Sequence, residues 1–177
     1  FGEPLSIQQV VQRIVTDVKK GGDTALLDYT IRLDKAKPAT LEVTPAEWAS
    51  SSDSVPSALK GALTLAAERV TKFHQRAMRE TWTDKAQGLG QVRRPLDKVG
   101  IYIPGGRAAY PSTLLMTAIP ALVAGVDNVL VCTPPDKDGK PNPIVLAAAE
   151  IAGVQTVFKV GGAQAIAAMA HGTETIP

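Results

Sequence analysis

From Val99 onward the chain alternates short apolar runs with helical patterns, and no other feature restricts its fold as much. The runs at 99–103, 126–132 and 154–160 are rich in β-branched residues and bounded by Gly, Pro or Asp, so each reads as a buried strand. Helices are predicted after them, over 111–124, 143–152 and 163–170. Gly125 and Gly153 stand just past two of these helices, and Asn142-Pro143 supplies a cap followed by proline at the first helical position. Strands separated by helices require crossover connections, which build a parallel sheet. The predicted class is α/β, an incomplete parallel sheet of βαβαβα order behind a mainly helical N-terminal segment.

That upstream segment reads as scaffold. Ser6 and Gln9 are spaced as a capping box, and Ile7, Val10, Val11, Ile14, Val15 and Val18 fall on one helix face. Lys19 and Lys20 suit the negative end of the helix dipole, and Gly21-Gly22 stops the helix. Asp23 caps a second helix that turns Leu26, Leu27, Thr30 and Ile31 inward. A loop over 35–40 follows, and Leu41-Glu42-Val43 is at most a short strand. Thr44-Pro45-Ala46-Glu47 repeats the capping box, with proline at the favoured first position, and 50–54 is a polar break. The longest helix runs from Pro56 to about Glu80 on a stripe of Leu59, Leu63, Ala66, Ala67, Val70, Phe73, Ala77 and Met78. The stretch 82–90 reads as a polar connector and 90–96 as a strand approaching the first glycine loop. A domain boundary is expected near Asp97, dividing the chain into 1–97 and 98–177.

Composition narrows the function classes. A hydrophobic content of 45% with 20% charged residues is ordinary for a soluble globular protein. A net charge of +2, dispersed along the chain, argues against nucleic acid and membrane surfaces as partners. The lone Cys132 excludes an intrachain disulfide and fits a reducing, cytoplasmic location. No apolar run approaches the ~20 residues that a membrane helix needs. The chain begins at Phe1 rather than Met and ends just after a helix, so both ends are expected to be cut from something longer.

Two loops suit ligand chemistry. Gly105-Gly106 follows the first strand, and Gly161-Gly162 follows the third, directly before the helix of Ala163-Gln164-Ala165-Ile166. Glycine lets backbone approach a ligand, and free amides at a helix start favour phosphate. The full G-x-G-x-x-G fingerprint is absent from both loops, so tight turns and nucleotide cradles both remain open. Tyr102 alternates with Ile101 and Ile103 and faces the other side of the sheet, near the strand end where open parallel sheets bind ligands. Arg107 stands beside the first loop in reach of a phosphate, although a solvated loop arginine is the commoner case. His74 and His171 have no partner acids or thiols nearby and read as surface or packing residues, since a metal site needs three or four ligands. Cys132 ends a buried strand and reads as a small core hydrophobe rather than a nucleophile.

Longer strings carry a resemblance. Val-Gly-Ile-Tyr-Ile-Pro-Gly-Gly-Arg-Ala-Ala-Tyr-Pro-Ser at 99–112 resembles histidinol dehydrogenase, as do Phe-Lys-Val-Gly-Gly-Ala-Gln-Ala-Ile-Ala-Ala at 158–168 and Gly-Thr-Glu-Thr-Ile-Pro at 172–177. Gly22-Asp23-Thr24-Ala25-Leu26 fits too, with Tyr29-Thr30 and Asp34 after it. Leu33 departs from the aromatic that the family usually carries there, which touches packing rather than function. The resemblance implies a zinc-dependent homodimer that oxidises L-histidinol through L-histidinaldehyde to L-histidine, using two molecules of NAD, at the end of histidine biosynthesis. It implies NAD contacts at Tyr102, from Tyr-x-Pro-Gly-Gly, and at Gln164, from Gly-Gly-Ala-Gln. The family's zinc ligands, its glutamate and histidine for proton transfer and a third NAD contact are expected downstream of Pro177. No catalytic or metal residue is therefore assigned in this chain, and neither His74 nor His171 falls on a metal position of the family. On this reading 98–177 is a truncated Rossmann-like NAD-binding domain, 1–97 belongs to the first large domain, and the chain alone is expected to be inactive. Two readings stand beside it: a related zinc- and NAD-dependent dehydrogenase of another alcohol, such as a sulfonated diol, and a non-catalytic nucleotide-binding fragment.

Overall fold

Ser6 opens α1 (Ile7–Tyr29) with the expected capping box, its hydroxyl accepting the Gln9 amide at 3.3 Å while the Gln9 side chain accepts the Ser6 amide at 2.8 Å. The computed structural model describes residues 4–105 and 108–177, so the sequence expectations for Gly106 and Arg107 lie outside the described residues. Gly22 (φ 51°) does not end the helix in a loop but kinks it, and both stretches are counted in α1. Asp23 is not the cap of the second stretch: Glu174 accepts the Asp23 amide at 2.7 Å, while the Asp23 carboxylate takes the amide and hydroxyl of Thr175. The face carrying Ile14, Val18, Leu26 and Tyr29 is buried, whereas Ile7 and Val11 reach beyond the core and are exposed. Past Tyr29 the helix widens into a π turn, Thr30–Asp34, closed by Lys35 in the left-handed conformation. The wider turn rotates the chain, so Thr30 is buried but Ile31, expected inward, is 41% exposed.

Thr44 and Glu47 form the second capping box at the start of α2 (Pro45–Ser54). The helix continues through the serines where a break is expected, because Trp48 within it and Val55 just beyond pack on the core and outweigh weak propensity. The next helix, α3 (Ser57–Ala77), buries Leu63 and Ala67. Its predicted stripe fails in the second half, where Phe73 is 69% exposed and Met78 is 51% exposed just past the helix end. The spacing marks a face that a helix can bury, and here no described element lies opposite it. Trp82–Asp84 and Leu89–Gln91 then pair antiparallel as the exposed hairpin β1–β2, with the Asp84 carboxylate accepting the amides of Ala86 and Gln87 in the turn. This corrects the expected connector and approach strand: the extended residues pair with each other and not with the parallel sheet.

The alternating half follows the prediction within about two residues. Strand β3 (Lys98–Tyr102), helix α4 (Pro111–Val123), strand β4 (Asn128–Thr133), helix α5 (Pro143–Ala152), strand β5 (Thr156–Lys159) and helix α6 (Gly162–His171) succeed one another. The strands are parallel in the order β3-β4-β5, with Tyr102 beside Cys132 and Cys132 beside Phe158. Asn142 caps α5 at the Ile144 amide, and Gly153 closes it at φ 87°.

Period-two alternation divides the strands between two cores. Ile101, Val129, Val131 and Val157 face α4 and α5, with α3 packed outside them. Leu130, Cys132 and Phe158, with half-buried Tyr102, face α1 and α6. The outer edge of β5 is covered by 41–43, where Val43 donates to the Val157 carbonyl at 2.9 Å and Lys159 donates to the Leu41 carbonyl at 2.7 Å. Covering an edge in this way removes a template for unwanted strand pairing. Lys159 itself is 1% exposed, and its Nζ donates to Glu47 at 2.7 and 2.9 Å and to the Thr40 hydroxyl at 3.1 Å. At the far end of the chain Ile176 is buried in the α1–α6 core, seating the tail against the α1 kink.

Candidate functional site

The C-terminal ends of the three parallel strands lie along one edge of the sheet, so the loops after β3, β4 and β5 meet there. Tyr102, the last residue of β3, accepts the Gly162 amide on its hydroxyl oxygen at 3.2 Å. That contact joins two residues sixty positions apart and brings both glycine loops to one corner. Pro134, just past β4, fills the space between them: a β-carbon on Gly105 or Gly161 would stand 2.2 or 2.5 Å from its ring. The three loops are therefore packed too closely for side chains at these points.

Helix α6 starts at this corner with Gly161, which has no side chain to cap it, as its N-cap, and its first amide, that of Gly162, rests on the Tyr102 hydroxyl. Such amides carry the positive end of the helix dipole and favour an anionic group. Gly162 adopts φ 60°, a region costly for a β-branched residue, and a β-carbon there would lie 2.6 Å from Gln164 Oε1. Gln164 is fully buried beneath the turn. Its Nε2 donates to Asp34 Oδ2 at 3.2 Å, while its Oε1 is buried with no partner among the described residues. Buried acceptors are nearly always satisfied, so an orphan oxygen at a loop corner is a candidate point for a ligand's donor.

Asp34 arrives from the π turn that follows α1. Burial raises its carboxyl above the ordinary range, the Gln164 hydrogen bond only partly offsetting this. It also borders a cleft of about 350 Å³ that runs from Gly105 past Pro134 to Asn142 and Val145, within the size range of small-molecule sites. The sequence reading gives Asp34 no site role. It lies 130 positions from Gln164, and no periodicity links the two.

The other candidates lie elsewhere. His74 stands edge-on to Phe73, with ring centroids 5.3 Å apart, and His171 closes α6. Among the described residues no group of three or more His, Cys, Asp or Glu side chains is disposed to hold a metal ion. Cys132 is fully buried, and burial pushes its thiol up to about 12, which keeps it an inert core residue. The corner thus offers backbone donors for an anion, one buried acceptor and one hydroxyl. This is equipment for holding a polar ligand.

A family model described as histidinol dehydrogenase matches residues 3–177. Histidinol dehydrogenase of Methanosarcina mazei is 50% identical over 175 residues, covering 97% of this chain and 40% of its own length. That of Deinococcus radiodurans is 50% identical over 179 residues, covering 100% of this chain and 41% of its own length. The crystal structure of histidinol dehydrogenase from Elizabethkingia anophelis is similar in fold, with a TM-score of 0.92 and 37% identity, over 100% of this chain and 42% of that one. The chain spans about 40% of the length of the curated relatives it matches.

Proposed function

The chain belongs to the histidinol dehydrogenase family, and from that premise we propose that it holds NAD for the oxidation of L-histidinol through L-histidinaldehyde to L-histidine, the end of histidine biosynthesis. The observation that carries this reading is the corner where Tyr102, Gly162 and Gln164 meet, with a buried Gln164 oxygen left without a partner among the described residues. When bound, NAD supplies the acceptor for the hydride. The chain's own residues bind and orient it. The first amides of α6 take an anionic group, and the Gln164 oxygen takes a donor. The Tyr102 hydroxyl, which here accepts the Gly162 amide, provides a further polar contact.

Zinc has no such support in this chain, since no suitable ligand set occurs among the described residues. We assign the zinc ligands and the acid–base pair to the part of the family's length that this chain does not span. Homodimerisation belongs to the same proposal. Phe73, Met78, Trp82, Val92 and Leu96 are exposed apolar side chains on and after α3, an arrangement that favours association. A cytoplasmic location accords with the lone thiol. No helix of the described residues is long and apolar enough to cross a membrane.

A chimera tests the proposal. These residues are grafted onto the corresponding region of the Deinococcus radiodurans enzyme, and histidinol-dependent NADH formation is measured. The chimera is expected to turn over, and Tyr102→Phe or Gln164→Ala to raise its KM for NAD roughly threefold to tenfold with kcat little changed, as for loss of one hydrogen bond. An unchanged KM in both variants would remove the assignment. The 177-residue chain alone is expected to form no NADH, and turnover by it near that of the chimera would show that the catalytic groups are misplaced.

A further inference from the structure

Asp34 determines which way the Gln164 carboxamide points. An ionised carboxylate only accepts hydrogen bonds, so the nitrogen of Gln164 must face it, as it does at 3.2 Å. The carboxamide oxygen is then forced to the opposite side, against the Gly161-Gly162 turn, where it is buried and has no partner among the described residues. We propose that Asp34 is a positioning residue that locks Gln164 with its oxygen toward the glycine turn, so that this point of the site reads a hydrogen-bond donor on the ligand. The proposal rests on the NAD reading above and deepens it.

The lock sorts the two halves of the corner by polarity. Amides at the start of α6 donate and so suit phosphate oxygens, whereas Gln164 Oε1 accepts and so rejects them. NAD carries both complements: a pyrophosphate, and donors on its ribose hydroxyls, its adenine amine and its nicotinamide carboxamide. Oε1 is buried beside Gly162, so a donor is expected to reach it by displacing that turn and opening the 3.2 Å bond from the Gly162 amide to Tyr102.

The test is a charge-swap cycle on the whole 177-residue chain, with NAD binding followed by NMR at pH 7.5. Asp34→Asn relaxes the lock and is expected to weaken NAD severalfold. Gln164→Glu sets two carboxylates against each other and is expected to weaken it at least tenfold. Combining the two restores a donor facing an acceptor and leaves the second glutamate oxygen toward the turn, so affinity should return to within about threefold of the parent. A double variant no better than the weaker single, or an unchanged affinity in Asp34→Asn, would overturn the proposal. If the folded parent chain does not bind NAD, the nucleotide reading fails and this proposal with it. If the parent binds and the cycle shows no coupling, only the proposal on Asp34 fails. Should a variant not fold, the parent still decides: its Gln164 side-chain amide protons should exchange slowly and the Gly162 amide should shift on adding NAD, and fast exchange would overturn the lock. The analogue in which acetyl replaces the nicotinamide carboxamide separates that donor from the others. Weaker binding than NAD by the parent, with equal binding of both by Gln164→Ala, assigns the carboxamide; equal binding of both by the parent assigns a ribose hydroxyl or the adenine amine, which the hypoxanthine analogue of NAD, lacking that amine, tells apart.

Discussion

Two part-buried carboxylates shift in opposite directions, because only one meets a cation. Burial dominates at Asp34 and raises its carboxyl above the ordinary 3.8. The folded state then holds that proton more firmly than the unfolded one, so the stabilising contribution is present at low pH and lost as pH rises through the raised value. Asp34→Asn is therefore expected to raise the thermal midpoint at pH 7, with the gain shrinking toward pH 3.5, even as it weakens NAD. Scanning calorimetry at the two pH values checks this, and a lower midpoint at pH 7 would contradict it. At Glu47 desolvation is outweighed by the hydrogen bonds from Lys159 and Thr44, which hold its carboxyl below the usual range. Its contribution is present above the ordinary value and lost as pH falls through the lowered one. Glu47→Gln leaves the Lys159 side chain, 2% exposed, without its counter-charge, and is expected to cost about 3 kcal/mol in urea unfolding at pH 7. Neither pairing is visible in the sequence, because the partners lie 112 and 130 positions apart and nothing periodic connects them.

Elements of the second half were readable because local signals agreed with one another. The Asn142-Pro143 cap, the Gly153 stop and β-branched runs all place boundaries that the packed sheet keeps. The first half was harder to read where neighbours decide. The α3 stripe is half exposed, α2 runs on through serines because its apolar residues find the core, and a π turn moves Ile31 outward. The β1–β2 hairpin lacks an apolar face, so its strands carry no alternation to detect. At the glycine turn before α6, Gly162→Val joins a left-handed φ to a clash with Gln164. The strain is of order 1–3 kcal/mol, so the variant is expected to fold with a lower thermal midpoint and to bind NAD at least tenfold more weakly. Unchanged NAD affinity in the folded variant would reduce Gly162 to a turn residue.

At the scale of the whole molecule, the helical segment and the sheet share both cores: α3 lies over α4 and α5, while α1 lies on α6 and is tied at its kink by Glu174. The motifs of Tyr102 and Gln164 nominate them as candidates, whereas the Asp34 carboxylate bonded to Gln164 is apparent only once the π turn is placed over the sheet edge. The exposed apolar side chains from Phe73 to Leu96 predict self-association. Sedimentation velocity should show dimers or larger species that dissociate on dilution, and a monomer at all concentrations would contradict this. Titrating the isotope-labelled chain with NAD and mapping the backbone amide shifts shows whether NAD is held where the glycine loops meet. Saturable shifts are expected, concentrated at Tyr102, Gly105 and 161–164, with the Gly162 amide among the largest. Shifts that are absent there at saturating NAD, or that fall instead along α3 and α4, would contradict it.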